Sequence, residues 1–326
     1  MERAHLLNCL DSCEKNIPIL VIGDVMLDEY HWCDVSRISP EAPVPVCKVN
    51  KTTLVPGGAA NVALNISTLN GNSYLVGCLG DDSSGLKLQS ILKQSNINID
   101  GVFLNQNYPT ILKSRIIAHH QHVVRVDRES NKQLPDKFYD KFYSYIEQHI
   151  QIFKAIILSD YLKGTLSNDL LHKLICLAKN HNIPVIVDPK GNDYSKYKNA
   201  FVLTPNFSEF QSIASKEIMT EEDIFSEGVK IIKKLNLNSL IVTRSEKGLS
   251  IITPTQKTDI STKAKDVFDI TGAGDTFISM LTLGIAANLG LKESAFLANQ
   301  AAGIVVGKIG TSTTTLDDIR KFINSK

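Results

Sequence analysis

The stretch DITGAGDTF (269–277) sets two glycines and an acid at the mouth of a long apolar run. Glycine disfavours helix interiors, and a carboxylate beside an apolar core needs a reason. The N-terminus of a helix presents unpaired backbone N–H groups and a partial positive charge, which together attract anions. Glycine there lets an anion reach the backbone without a Cβ in the way. The chemistry on offer is phosphoryl transfer. Backbone N–H groups at Gly272, Ala273 and Gly274 would hold the transferred group, and Asp275 would take a proton from a hydroxyl. An ordinary helix cap would use the same residues, with glycine for the turn and Asp favouring the dipole. Neither GxxxxGK[ST] nor GxGxxG occurs, so a P-loop or a dinucleotide-binding fingerprint is not supported.

Other polar groups fall where apolar runs end: Gly23-Asp24 and Asp28, Asp160, Asp188-Pro189-Lys190, Thr204-Pro205-Asn206, and Thr243-Arg244-Ser245. Ligands in open α/β sheets bind beyond the carboxyl ends of the strands, so these points are expected to converge on one site.

The elements that must position them are legible as alternation. Strand-like runs at 17–27, 73–80, 153–160, 183–190, 200–206 and 239–245 are nearly all apolar, and helical periodicity fills stretches such as 167–182 and 220–236. Thr220, with an acid three residues on, predicts a capping box. Apolar strands separated by helices predict a doubly wound, mostly parallel sheet covered on both faces. Two stretches break the rhythm. HWCDVSRISPEAPVPVCKVN (31–50) carries three prolines, and TILKSRIIAHHQHVVRVDRES (110–130) alternates polar residues with Ile and Val. Both read as strands of a small extra sheet, serving as lid, dimer surface or both. Within it His120 and His122 share a face, but no Cys or carboxylate stands at ligand spacing, so a half-exposed strand is expected over a metal site.

Bulk properties exclude several classes. The 326 residues are 43% hydrophobic and 21% charged with a formal net charge of +1, so no global field recruits nucleic acid or an anionic membrane. The six cysteines lack a CxxC pair and read as reduced thiols. The N-terminus lacks the apolar core of a signal peptide, and the longest apolar run, Phe277 to Leu291, contains Asn288 and is short for a bilayer span. A cytoplasmic protein is expected.

DITGAGDTF resembles the C-terminal signature of the ribokinase-like, or PfkB, carbohydrate kinases, and PGGAANVALNISTLN (56–70) resembles their N-terminal signature. The resemblance covers essentially the whole chain. It implies a single kinase domain over 1–326, with lid strands from about 31–55 and 100–130 inserted in the α/β core. VIGDVMLDEYHWCDVSRISPEAPVPVCKV, LSDYLKG, VDPKGNDYSKY, LTPNFSEF and VVGKIGTST are similar, within that family, to heptose-7-phosphate kinases; SRISPEAPVPV is the most specific of these strings. That resemblance implies transfer of the ATP γ-phosphoryl group to the anomeric hydroxyl of D-glycero-β-D-manno-heptose 7-phosphate, in ADP-heptose synthesis for the lipopolysaccharide core. Relatives of this kind are often fused to an adenylyltransferase. The chain ends soon after TTLDDIRKFINSK, so a stand-alone kinase is expected, with the adenylyl step left to another polypeptide.

The same resemblance implies roles. Asp275 is the general base and 272–274 the anion hole. Asn206, Phe207, Ser208 and Glu209 form the NxxE region that positions ATP and hydrated Mg²⁺, with Glu209 acting through water. Thr243, Arg244 and Gly248 lie by the nucleotide phosphates, although Ser245 replaces the middle glycine of TxGxxG. Asp269 stands where some members bind a monovalent cation; a solvated loop acid is the alternative. Asp24, Asp28 and Asn61 are expected to bind sugar hydroxyls, with Gly57-Gly58 allowing close approach. The 7-phosphate needs cations, for which Arg37, Lys113, Arg115, Arg125 and Lys190 are candidates. A homodimer through the lid sheet is expected, because exposed sheet edges are better covered. A kinase of another sugar, or a silent sugar-binding protein on the same scaffold, stays open.

Overall fold

Asp24 divides the first apolar run between two sheets in the computed structural model, which describes residues 2–118, 121–130, 133–262, 269–308 and 310–325. The single strand expected over 17–27 is thus two: β1 (Pro18–Gly23) enters a nine-stranded sheet and β2 (Val25–Ile38) a four-stranded one. Burial explains the break. β1 needs helices on both faces, whereas β2 turns polar and exposed along its second half.

The large sheet also holds β4 (Asn72–Gly80), β5 (Asn98–Asn105), β8 (Ala155–Ser159), β9 (Val185–Asp188), β10 (Val202–Leu203), β11 (Ser239–Thr243), β12 (Leu249–Ile252) and β13 (Lys257–Ile260). Its order is β13-β12-β11-β10-β9-β8-β1-β4-β5. Pairing is parallel from β5 through β11, and β12 and β13 close the edge antiparallel.

Side chains alternate across these strands, so each feeds two cores. Ile19 and Val21 pack with α1 (Arg3–Cys13), α2 (Ala59–Thr68), α3 (Ser83–Gln94), α8 (Ala273–Ala286), α9 (Leu291–Val305) and α10 (Leu316–Asn324). Leu20 and Ile22 pack with α4 (Asp136–His149), α5 (Asn168–Asn180), α6 (Phe207–Ile213) and α7 (Glu221–Leu235). The predicted capping box opens α7: Thr220 accepts from the Asp223 N–H, and Asp223 reaches back to the Thr220 N–H.

The small sheet runs β3 (Pro45–Gly58), β2, β6 (Ile111–Ala118), β7 (Gln121–Arg128). It is mixed, since β2 pairs antiparallel with β3 and parallel with β6. The proline-rich stretch lies where expected, between and within β2 and β3. The second lid span is shorter than expected, because 98–105 forms β5 of the large sheet. Val102 and Phe103 there serve opposite helix layers, which a half-exposed lid strand could not do. His119 and His120 lie outside the described residues; His122 is exposed on β7.

Candidate active site

The carboxyl ends of β1, β8 and β9, the N-terminus of α8 and the roots of β2 and β6 converge around Asp275. Gly272, at φ +82°, turns the chain into α8, and no side chain caps that end. The first-turn N–H groups are therefore left for a ligand, as an anion hole requires. A Cβ on Gly274 would meet nothing within 4 Å, so the backbone there is open to an incoming group.

Asp275 follows in the first turn and is 6% exposed. Its Oδ2 accepts a 2.6 Å bond from Asn61 Nδ2, and its Oδ1 a 2.9 Å bond from the Tyr161 hydroxyl. Burial pushes its carboxyl up to about 6 against those two donors, with Asp28 adding to the rise and Lys113 opposing it. A carboxyl tuned to that range is ionised at neutral pH yet still a competent proton acceptor. Asn61 is itself fixed, since Asn65 Nδ2 bonds its carbonyl at 2.9 Å and Thr276 Oγ1 holds Asn65 Oδ1 at 2.8 Å.

Beside this clamp the small sheet supplies the charges. Asp28 and Arg115 form a buried ion pair at 2.6 Å, and Arg115 lies 5.2 Å over the Tyr30 ring. Gly57 is required here, because a Cβ would sit 2.8 Å from Asp28 Oδ2. Lys113, opposite Asp28 in the β2–β6 register, holds its ammonium 5.8 Å from the Tyr161 ring centroid. Burial lowers the Lys113 ammonium from its ordinary value, even against Asp28 and Asp127. It makes no ion pair among the described residues.

The other side of the α8 N-terminus is different in kind. A cavity of about 440 Å³ opens between the β11–β12 turn, α8 and α9, lined by Thr243, Gly248, Ile270, Gly274, Phe277 and Gly303 among others. A Cβ on Gly303 would meet nothing within 4 Å and would point into open space. Ser245, which stands where the pattern TxGxxG has glycine, adopts φ +49°, a conformation that glycine takes without strain. Asn206 caps α6 by accepting from the Glu209 N–H at 2.9 Å, and Glu209 Oε2 accepts from the Asn206 N–H at 3.0 Å. Phe207 and Ser208 are the first two residues of that seven-residue helix. Asp188, at the end of β9, faces Asp275 and Glu209, and burial with those charges pushes its carboxyl well above the ordinary range.

Several expected residues are placed otherwise. Asp24 is fully buried, and its carboxylate accepts the N–H groups of Tyr161, Lys163 and Thr165 at 2.9–3.0 Å, so it holds the turn after β8 instead of facing a sugar. Arg37 is exposed near the far end of β2, nine residues beyond Asp28 and so about 30 Å along an extended strand. Lys190 pairs with Glu209 at 2.7 Å, at the start of α6. Arg244 turns away from the cavity to Glu221, with Nη1 to Oε2 at 2.9 Å. Asp269 accepts the Thr271 N–H at 2.9 Å on one oxygen and the Gly310 N–H at 3.1 Å on the other, which ties the start of α8 to the segment after α9. Gly58, at φ +55°, makes the turn into α2, where a Cβ would sit 2.4 Å from the Asp24 carbonyl oxygen. Of the five candidate cations, Lys113 and Arg115 reach the Asp275 neighbourhood, while Arg125 is spent on Asp127 at 2.9 Å. Tyr161 had no expected role, although its place directly after Asp160, at the carboxyl end of β8, was the available signal.

An uncapped helix N-terminus thus carries a buried carboxylate, set between a charged cluster and an apolar cavity on a doubly wound sheet. Phosphofructokinase-2 from Escherichia coli, solved in complex with potassium, superposes with a TM-score of 0.79 at 21% identity, covering 95% of this chain and 98% of that one. Arabidopsis thaliana ribokinase complexed with ribose and ATP gives 0.74 at 21% identity, over 94% and 98%. The profile described as pfkB family carbohydrate kinase matches residues 17–318. The chain belongs to that family and is a phosphotransferase acting on a sugar. It is similar to the Bifunctional protein HldE of Pasteurella multocida, 46% identical over 313 residues, and of Haemophilus influenzae strain PittEE, 44% identical over 313 residues. Each match covers 96% of this chain and 64% of the relative, so the chain spans less than two-thirds of those proteins.

Proposed function

We propose that the chain transfers the γ-phosphoryl group of ATP to the anomeric oxygen of D-glycero-β-D-manno-heptose 7-phosphate, giving the 1,7-bisphosphate for ADP-heptose and lipopolysaccharide core synthesis. The observation that carries the transfer chemistry is the Asp275 carboxylate, held by Asn61 and Tyr161 in the first turn of an uncapped helix. The substrate assignment is supported by SRISPEAPVPV and its companion strings, and by the likeness to the bifunctional relatives over 96% of the chain.

In this reading Asp275 takes the anomeric proton, the oxygen bonds to the γ-phosphorus, and the bond to the β,γ-bridging oxygen breaks as ADP leaves. The first-turn N–H groups of α8 stabilise charge on the transferred group. Asp28 and Asn61 bind sugar hydroxyls. Lys113 grips the 7-phosphate, because it is the half-buried cation at the cleft without an ion pair among the described residues. The apolar cavity takes the nucleoside of ATP, with Thr243 and Gly248 at its rim.

Among the described residues no cluster of three or more metal-binding side chains forms a cage. Asp188 and Glu209 nonetheless face the same space, which fits a hydrated Mg²⁺ carried on the ATP phosphates and held through its waters. Mg²⁺ supplies charge neutralisation there. The protein is assigned to the cytoplasm, where ATP is at hand and where six unpaired cysteines are stable. A homodimer through the small sheet would cover Val124 and Val126 on β7, which are 50% and 57% exposed.

The deciding experiment is ADP release with Mg-ATP and this heptose phosphate beside ribose, fructose 6-phosphate and adenosine, with Asp275→Asn in parallel. Turnover of the heptose phosphate alone, reduced at least about 1,000-fold in the variant, is expected. Preference for another sugar would refute the substrate, and an active variant would refute the base.

A further inference from the structure

Tyr161 joins two hydrogen-bonded systems that otherwise look unrelated. Its hydroxyl meets Asp275, while its backbone N–H belongs to a turn built around Asp24. That turn is held from both sides. Asp24 takes the N–H groups of Tyr161, Lys163 and Thr165, and Asp160 Oδ1 takes that of Leu162 at 2.8 Å. Asp160 is anchored in turn by Lys196 and Tyr197, each at 2.6 Å. Leu162 accepts φ +56° inside this turn, a left-handed conformation that a Leu adopts only when its surroundings demand it.

Asp24 also reaches the opposite side of the base. Its main-chain carbonyl accepts the Ala59 N–H at 3.0 Å, which starts α2, the helix that carries Asn61. One buried acid therefore sets the turn bearing Tyr161 and the helix bearing Asn61. Those two side chains take one oxygen of Asp275 each.

We infer that Tyr161 is a positioning residue for the Asp275 base, and that Asp24 fixes the spacing of the two-donor clamp by tying the 161–165 turn to the start of α2. The inference rests on Asp275 being the base. A carboxylate swivels freely about its terminal torsion unless both oxygens are held. With Tyr161 on Oδ1 and Asn61 on Oδ2, one lone-pair direction on each oxygen remains for a substrate hydroxyl. The clamp also favours the ionised form among the charges that face Asp275: the Asp28–Arg115 pair from the small sheet, Lys113 from β6 and Asp188 from β9. The Tyr161 hydroxyl keeps its proton throughout, because burial and the surrounding carboxylates push it well above its ordinary range. It is a permanent donor.

The test uses the full chain as wild type, Tyr161→Phe, Asp24→Asn and Asp275→Asn. Tyr161→Phe retains the ring and its contact with Lys113 and removes only the hydroxyl. ADP release from Mg-ATP and D-glycero-β-D-manno-heptose 7-phosphate is followed from pH 5.5 to 9, together with a ¹³C-carboxyl NMR titration of Asp275. Tyr161→Phe is expected to lower kcat about 10- to 100-fold at pH 7 with KM for ATP unchanged. Its acid limb and the Asp275 titration should both move up by about one pH unit, so the deficit narrows towards pH 9. Asp24→Asn should shift both in the same direction while thermal melts show a folded protein. A wild-type pH profile in Tyr161→Phe, or a loss equal at every pH, would overturn the positioning role even with Asp275→Asn inactive. Turnover retained by Asp275→Asn would instead remove the base reading, and this inference with it.

Discussion

The two sides of the α8 N-terminus solve different problems with different materials. On the side of the small sheet, Arg115 is bonded to Asp28 at 2.6 Å, Asn61 and Tyr161 are bonded to Asp275 at 2.6 and 2.9 Å, and little of these two groups reaches solvent. On the other side, a cavity of about 440 Å³, proposed above for the nucleoside, is walled by glycines, Ile270, Phe277 and a helix face, and Arg244, the one arginine expected there, turns away. A polyol is recognised by the directions of its hydroxyls, so the donors and acceptors that meet it must be held rigidly beforehand. A nucleoside is bound largely through its flat apolar area, for which shape suffices. The charged side should therefore fail when one partner is removed, and the apolar side when its volume is filled.

Arg115→Met should produce the largest loss of stability. It leaves Asp28 charged and unpaired in a buried site, with an expected loss of about 3 kcal/mol in stability. The kcat/KM for sugar should fall by about 100-fold while KM for ATP holds, measured by denaturant unfolding and steady-state kinetics. An equal rise in both KM values would erase the distinction between the two sides.

The charge at Asp275 costs stability. Its folded-state carboxyl is raised from 3.8 to about 6, so its contribution to stability is fully present below 3.8 and is lost as pH rises through 6. Asp275→Asn should therefore gain on the order of 2 kcal/mol over wild type at pH 8, with the gain shrinking towards pH 4. Thermal melts across that range check the sign.

Filling the apolar side should be milder and confined. Gly303→Val projects into the cavity from within α9, where glycine is already a poor helix former, so the fold should be kept. KM for ATP is expected to rise about 10-fold with KM for sugar unchanged, a loss of about 1.4 kcal/mol in nucleotide binding. The smallest effect belongs to Arg244→Ala. Its guanidinium serves Glu221, so KM for ATP should move less than about twofold, with any cost appearing as a few tenths of a kcal/mol in stability.

Much of this was legible along the chain because it is written in local pattern. Alternating apolar strands and periodic helices announce a doubly wound sheet, since each element must bury its own apolar face whatever its neighbours are. Gly272-Ala273-Gly274-Asp275 announces a helix start with open backbone N–H groups, because the geometry of a helix start depends on a few adjacent residues. The prolines of 31–50 likewise exclude a central strand on their own.

What only the tertiary structure decided is which side chain faces which. Asp24 and Asp28 stand four residues apart and read alike, yet the chain changes sheets between them. One carboxylate meets a turn and the other meets Arg115, 87 residues away. Tyr161 lies 114 residues from the carboxylate that it clamps. Arg37 and Lys190 carry suitable charges and are carried to other places by the β2 strand and the β9–α6 region. Such partnerships depend on strand register, on where burial removes water, and on which loop ends converge. None of these is a property of neighbouring residues, so the sequence alone specifies the kind of site and the folded chain selects its members.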